Sequence, residues 1–312
     1  MFEVALMLEG QIGLTWEHWK RLVRAAEALG FVGVYRSDHF TNTQPPDQDS
    51  LELWVSLTWL ASHTERIEFG PLVTPLSFRH PVHTARMASQ VDDLSGGRLT
   101  LGLGAGWQER EHANFGWELL DVPDRLERFE DGLQVVTRLL KSDTPSEYRG
   151  RYYQIHDAVL LPRPQRPGGP PILIGGNGLK RTLPLAVKYA DWWNGVFLTP
   201  EQFALRNTRL DELLAQAGRS PGQLRRSLMT TCVFASDEKE LEHKVRELTG
   251  GQLTVDEFPE HGRIAGTANA IVDRLGAYAE VGVQRIMLQW LYQEDLDSLE
   301  AMANAVLPQV QA

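Results

Sequence analysis

Short apolar runs and longer amphipathic stretches alternate along nearly the whole chain. "EVALML" (3–8) has the unbroken apolar character of a strand covered on both faces. Next comes "TWEHWKRLVRAAEALG" (15–30), where Trp16, Trp19, Leu22, Val23, Ala26 and Leu29 recur near a helical period. Thr15 stands at its N-cap and Gly30 at its stop. The same pair of patterns repeats. "FVGVYRS" (31–37) precedes a helix over 50–63, and "RIEFGPLVT" (66–74) precedes one from about Pro81, where proline suits a first turn. "RLTLGLG" (98–104) precedes a long helix over roughly 124–141. Residues 142–170 interrupt the rhythm with a polar, proline-rich insertion in which "YRGRYYQI" predicts a small hairpin. It resumes with "ILIGG" (172–176), "WWNGVF" (192–197), "RSLMTTCVFA" (226–235) and "VQRIMLQ" (283–289), each followed by helical sequence, the last over 296–306.

Strand–helix alternation predicts parallel strands with helices outside, and eight such units close into a (β/α)8 TIM barrel. Residues 1–312 then form a single domain. An open doubly wound sheet fits less well. No G-x-G-x-x-G follows the first strand, and "GLGAG" after the fourth lacks the third glycine and the acidic partner of a dinucleotide fingerprint.

Composition narrows the function classes. Hydrophobic content of 42% and charged content of 23% are those of a soluble globular protein. A net charge of −10 argues against a nucleic-acid partner, which needs a basic face. No apolar run approaches the ~20 residues of a membrane span. Cys232 stands alone, so no intrachain disulfide forms, and with no leader pattern at the start the expected location is cytoplasmic.

In such barrels chemistry sits where strands run into their following loops. The second strand ends in Asp38 and His39, and an imidazole near neutral pKa holds or releases a proton there. The plainer alternative has Asp38 capping the loop and His39 packing. After the fifth strand, "ILIGGNGLKRT" brings glycines to a helix start that carries Lys180, Arg181 and Thr182. Backbone access, free N–H groups and two cations suit a phosphate, the alternative being an ordinary glycine turn. Arg79, Arg163 and Arg166 are further cations that could offset the acidic balance for an anionic ligand. No metal is expected: His80 and His83 are a bare pair, and "EREH" is not H-E-x-x-H. Cys232 lies within an apolar strand and reads as an inert core thiol.

Taken together, "GFVGVYRSDHF", "LVTPLSFRHPVHTARMASQVDDLSGGRLTLGLGAGWQEREHANFG", "LPRPQRPGGPPILIGGNGLKRT" and "KYADWWN" resemble the bacterial-luciferase-like flavin oxidoreductases, most of all the branch that uses the deazaflavin coenzyme F420. The likeness runs from residue 1 to about 295. It implies a barrel of the luciferase-like type, a homodimer, and hydride transfer between F420 and a small organic substrate. That transfer is either C=C or C=O reduction or alcohol oxidation. An FMN-dependent monooxygenase is the alternative with the same fold, and a non-catalytic flavin-binding protein the alternative without chemistry.

The resemblance also distributes roles. It puts the cofactor phosphate on Gly175, Gly176, Gly178, Arg181 and Thr182, Asp38 at the ring's polar edge, and His39 at the reacting carbon. Behind the ring it implies a bulge at Leu72, Val73 and Thr74, with a cis peptide at Leu72–Val73 or Val73–Thr74. Gly104, Ala105, Gly106 and Trp107 line the ring from the fourth strand. Sugar-phosphate dehydrogenases of this branch carry an acid after those glycines. Trp107 replaces it here, so an apolar pocket wall is expected rather than sugar-phosphate oxidation. His112 would reach the cofactor phosphate or lie on a helix surface, while loop 247–265, with His261 and Arg263, would shape the substrate pocket.

Overall fold

In the computed structural model, which describes residues 2–310, the first barrel strands are β1 (Glu3–Leu8), β2 (Gly33–Arg36), β3 (Glu68–Pro71) with its continuation β4 (Thr74–Pro75), and β5 (Leu101–Gly104). The insertion holds β6 (Ser146–Arg149) and β7 (Gln154–Ala158), an antiparallel hairpin. Then come β8 (Ile172–Gly175), β9 (Trp192–Val196), β10 (Arg225–Phe234), the short β11 (Ile264–Gly266) and β12 (Arg285–Gln289). Ten helices accompany them among the described residues. The first five are α1 (Trp16–Leu29), α2 (Leu53–His63), α3 (Pro81–Leu94), α4 (Glu109–Phe115) and α5 (Val122–Lys141). After the insertion follow α6 (Thr182–Tyr189), α7 (Pro200–Gln216), α8 (Glu238–Thr249), α9 (Ala268–Glu280) and α10 (Leu296–Val310).

Pairing runs β3–β2–β1–β12–β10–β9–β8–β5–β4, all parallel. The ring closes between β3 and β5, where Phe69 N–H donates to Arg98 O (3.1 Å) and Thr100 N–H to Phe69 O (2.8 Å). This is the TIM barrel the alternation predicts. The third strand differs from the expected single run over 66–74: it breaks into β3, which pairs with β2, and β4, which pairs with β5. Between the two halves lies a cis peptide, Leu72–Val73. Two elements have no counterpart in the periodicity. Helix α4 is seven residues of mostly polar sequence, too short to display a period. Strand β11 is three residues lying beside the outer end of β10.

Strand side chains alternate in direction, which sorts the core into two shells. Val4, Leu6 and Leu8 of β1 face the helices, whereas Ala5 and Met7 face the barrel axis. The axis is filled by Met7, Tyr35, Leu173, Trp192, Met229 and Met287, so the barrel is a packed core and no pore. One end is sealed by charge. Arg285, 2% exposed, binds Glu68 Oε2 (2.7 Å), Tyr35 Oη (2.6 Å) and Glu3 Oε2 (2.5 Å), and lies 4.6 Å above the Trp192 ring. Burial works against its charge, but Tyr35, Glu68 and Glu3 outweigh that and raise its pKa above the ordinary arginine value. Chemistry is therefore left to the opposite end, where the strands reach their C-termini. Among the described residues, no helix is long and apolar enough to cross a membrane.

Candidate active site

Two positions beyond the apolar axis layer, the inward-facing residues become polar. Met7, Tyr35, Met229 and Met287 are succeeded by Glu9, Ser37, Thr231 and Gln289. Thr231 Oγ1 donates to Gln289 Oε1 (2.6 Å), and Gln289 Nε2 donates to Glu9 Oε1 (2.6 Å). Gln11 donates from Nε2 to Glu9 Oε2 (2.9 Å) and accepts at Oε1 from Ser37 Oγ (2.9 Å). A hydrogen-bonded floor thus spans the mouth, tying the ends of β1, β2, β10 and β12 together.

Asp38 and His39 leave β2 at the rim of this floor and serve different partners. Asp38 is buried. Its Oδ2 accepts from Thr74 Oγ1 (2.7 Å) and from Arg79 Nη1 (2.5 Å), and Arg79 Nη2 also holds Glu52 Oε1 (2.8 Å). The aspartate therefore ties β2 to β4 and to the start of α2, where Glu52 caps the helix through Val55 N–H (2.7 Å). His39 turns the other way. Its Nδ1 lies 2.9 Å from Glu111 Oε1 on α4, while Glu111 Oε2 accepts from Phe40 N–H (3.0 Å). Its backbone carbonyl is fixed by Ser50 Oγ (2.7 Å). Trp107 stands edge-on to the imidazole at 5.6 Å and is 59% exposed, a rim residue rather than a core one.

Burial alone would lower the His39 pKa. The hydrogen bond to Glu111 and its charge, with Glu9 and Asp38 beyond, raise it above the ordinary value instead. A group that binds its proton more tightly when folded adds stability below its unfolded pKa, about 6.5, and loses that addition as pH rises through the folded value. Glu111→Gln is accordingly expected to lower the melting temperature more at about pH 6 than at about pH 9. An equal deficit at both, measured by calorimetry, would contradict the coupling.

The glycine loop after β8 is held firmly. Asn177 Nδ2 donates to Val196 O (2.8 Å) and its Oδ1 accepts from Val196 N–H (3.0 Å), while Trp193 Nε1 donates to Gly176 O (2.8 Å). Gly176 has φ +126°, which a side chain rarely tolerates, and a Cβ at Gly178 would stand 2.8 Å from Thr182 Oγ1. Helix α6 starts just beyond with no side-chain cap; Leu183 N–H donates to Gly178 O (3.0 Å) and Pro184 has no N–H, so Thr182 N–H is the first-turn donor with no partner among the described residues. Lys180 and Arg181 are exposed and make no hydrogen bond or ion pair through their side chains among the described residues. Val73, from the break in the third strand, fills the space that a Cβ would take at Gly104 (2.5 Å away) and crowds the one at Gly175 (3.2 Å). The break and both glycine turns therefore meet at one end of the barrel, and Leu72 is buried beside them.

Several expected positions are used otherwise. Of the cations suggested for an anionic ligand, only Lys180 and Arg181 stay free. Arg79 is spent on Asp38 and Glu52, and Arg166 on the buried Asp92 (3.1 Å). Arg163 binds Asp143 (3.0 Å) and caps the carbonyls of Leu139 and Leu140. His112 does not lie on a surface. It is buried between Gln108 O (2.7 Å) and Ser77 Oγ (2.8 Å), beside Gly106. Ala105 is half-buried in the same turn. Cys232 is 1% exposed and burial pushes its thiol up to about 12, leaving it inert. His261 is exposed, whereas Arg263 lies 5.5 Å over the Phe197 ring. No group of three or more His, Cys, Asp or Glu side chains could hold a metal among the described residues. Glu111 and Asn177 are the site residues the sequence did not single out for a role. An acid on the first turn after the fourth strand is visible in "EREH", but its partner lies 72 positions away.

A family model described as luciferase-like monooxygenase matches residues 2–263. The chain belongs to the luciferase-like monooxygenase family. Like the members it matches, this luciferase-like protein is an enzyme of oxidoreductase type. It is similar to an F420-dependent glucose-6-phosphate dehydrogenase of Kineococcus radiotolerans, 24% identical over 86% of this chain and 77% of that one. It is also similar to a 5,10-methylenetetrahydromethanopterin reductase of Archaeoglobus fulgidus, 30% identical over 69% of this chain and 58% of the relative. A pyrimidine monooxygenase of Agrobacterium fabrum is 32% identical over 61% of this chain and 52% of the relative. In fold, the luciferase-like barrel superposes on a solved F420-dependent secondary alcohol dehydrogenase with an F420–acetone adduct. The TM-score is 0.88 at 19% identity, covering 100% of this chain and 99% of the other.

Proposed function

We propose that this enzyme transfers a hydride between coenzyme F420 and a small organic substrate. The observation that carries this reading is the cradle at the start of α6. A helix start with the Thr182 N–H open, a glycine loop that a Cβ would fill, and two unpaired cations suit a phosphate-bearing cofactor. Gly175, Gly176, Gly178, Lys180, Arg181 and Thr182 would hold its phosphate, and Leu72, Val73 and Thr74 would back its ring. When bound, a deazaflavin supplies two-electron hydride chemistry. The chain's own part is protonic and steric. His39 keeps a proton at the mouth through its contact with Glu111, Trp107 walls the rim beside it, and the floor from Thr231 to Ser37 fixes the strand ends around the reacting bond. The choice of F420 over FMN is supported by the F420-dependent relatives, while the matching pyrimidine monooxygenase keeps the alternative in the test.

Titration of the purified protein with F420 and with FMN, read by fluorescence and thermal shift, tests the proposal. F420 is expected to bind and raise the melting temperature. Lys180→Ala with Arg181→Ala should weaken that binding about a hundredfold, about tenfold for each lost charge-assisted contact, and leave the melting temperature of the free protein unchanged. Preference for FMN together with substrate-dependent oxygen consumption would overturn the cofactor assignment.

A further inference from the structure

Glu111 is a carboxylate out of place. Its side chain is 1% exposed, yet neither lysine nor arginine pairs with it among the described residues. Its two oxygens are taken by His39 Nδ1 and Phe40 N–H, so its only ionisable partner is an imidazole. A buried carboxylate facing one titratable group is balanced when that group carries the positive charge. The other charges near His39 push the same way. Glu9, at the end of β1, and Asp38, one residue before it, are both acidic. The buried Arg36, three residues before His39, faces Asp38, Glu52 and Glu9, and Arg79 is neutralised by Asp38 and Glu52. Trp107 adds no charge from the β5 side. With Nδ1 committed to Glu111, Nε2 is the remaining ring nitrogen, and it has no partner among the described residues.

We propose that Glu111 is a positioning residue that keeps His39 protonated with Nε2–H presented at the mouth, which makes the site a reductase for polarised C=O or C=C bonds. The proposal rests on the F420 reading for its hydride source. In the step it describes, the electrophilic carbon of the substrate would take a hydride, which bound reduced deazaflavin would supply. The π pair of the C=O or C=C bond collects on oxygen or on the α carbon, and that atom takes the proton from His39 Nε2. The product is an alcohol or a saturated carbonyl compound, His39 is left neutral beside Glu111, and solvent returns its proton. Alcohol oxidation would need the reverse resting state, a neutral His39 ready to accept.

The protonation state is measurable without cofactor or substrate. In the 15N-labelled protein, long-range imidazole spectra are recorded against pH, and the His39 signal is identified by its disappearance in His39→Gln. It is expected to titrate above the ordinary value of about 6.5, to fall in Glu111→Gln, and to recover in Glu111→Asp. A clamp that merely held the Phe40 loop would lower the melting temperature of Glu111→Gln without moving this titration, and that result would overturn the role given to Glu111. Direction is tested separately, with F420 and a panel of ketones, enones and alcohols. Reduction should slow as pH rises through the measured His39 value. Turnover of alcohols alone, rising over the same range, would overturn the reductase assignment and leave the Glu111 result standing. Failure of F420 to bind would remove the hydride source, and with it the direction, but not the titration.

Discussion

Gly70→Ala is expected to destroy the barrel or to lower its melting temperature by about 10 °C. At Gly70 the chain of β3 passes so close to the start of the next strand that a Cβ would stand 2.0 Å from the carbonyl oxygen of Thr100. Thr100 cannot swing aside, because its N–H closes the ring by donating to Phe69 O (2.8 Å). Overpacking against movable side chains costs about 1–3 kcal/mol. Here both sides are backbone, so the cost is about 3 kcal/mol or more. Circular dichroism against temperature is the measurement, and wild-type melting would refute so close an approach.

The second large effect is expected at Asp38. Asp38→Asn should cost about 3 kcal/mol, because it strands the guanidinium of Arg79 in a site only 15% exposed. Glu52 remains to Arg79 but is itself 41% exposed and compensates weakly. Thr74 also loses a charged acceptor, so the second half of the broken strand loosens and cofactor affinity should fall with it. Asp38→Asn combined with Arg79→Met should recover part of the lost stability, since it removes the orphaned charge as well. Urea unfolding of wild type, Asp38→Asn, Arg79→Met and the double variant measures the cycle. If Asp38→Asn proved as stable as wild type while still losing cofactor, the carboxylate would be a ligand contact rather than a tie between strands.

How far the sequence reveals this molecule depends on the range of the interaction. The strands and most helices follow from local pattern: Thr15 caps α1 through His18 N–H and Gly30 ends it at φ +89°, as their types suggest. The glycine loop after β8 is legible for the same reason, since backbone freedom and a helix start are local properties. What stays hidden is pairing across the barrel. Arg79, Arg163 and Arg166 look equivalent to Lys180 and Arg181 in the sequence, and only the folded chain assigns three of them to carboxylates. Glu111 looks like any acid near a helix start until α4 carries it beneath His39. The break in the third strand came from family likeness, because nothing in "GPLVTP" announces it by composition.

The pairing of β1 with β12 bears on how the enzyme is made. Among the barrel strands β1 is made first, yet the strand that covers one of its edges is the last of the barrel, with Glu3 opposite Arg285 and Met7 opposite Gln289. Until about residue 289 has emerged, the first strand keeps a bare apolar edge and Glu9 lacks the amide that orients it. A nascent chain therefore carries an adhesive seam until every other strand of the barrel has been made. The enzyme gains its working mouth in one late event, when the final strand slots in.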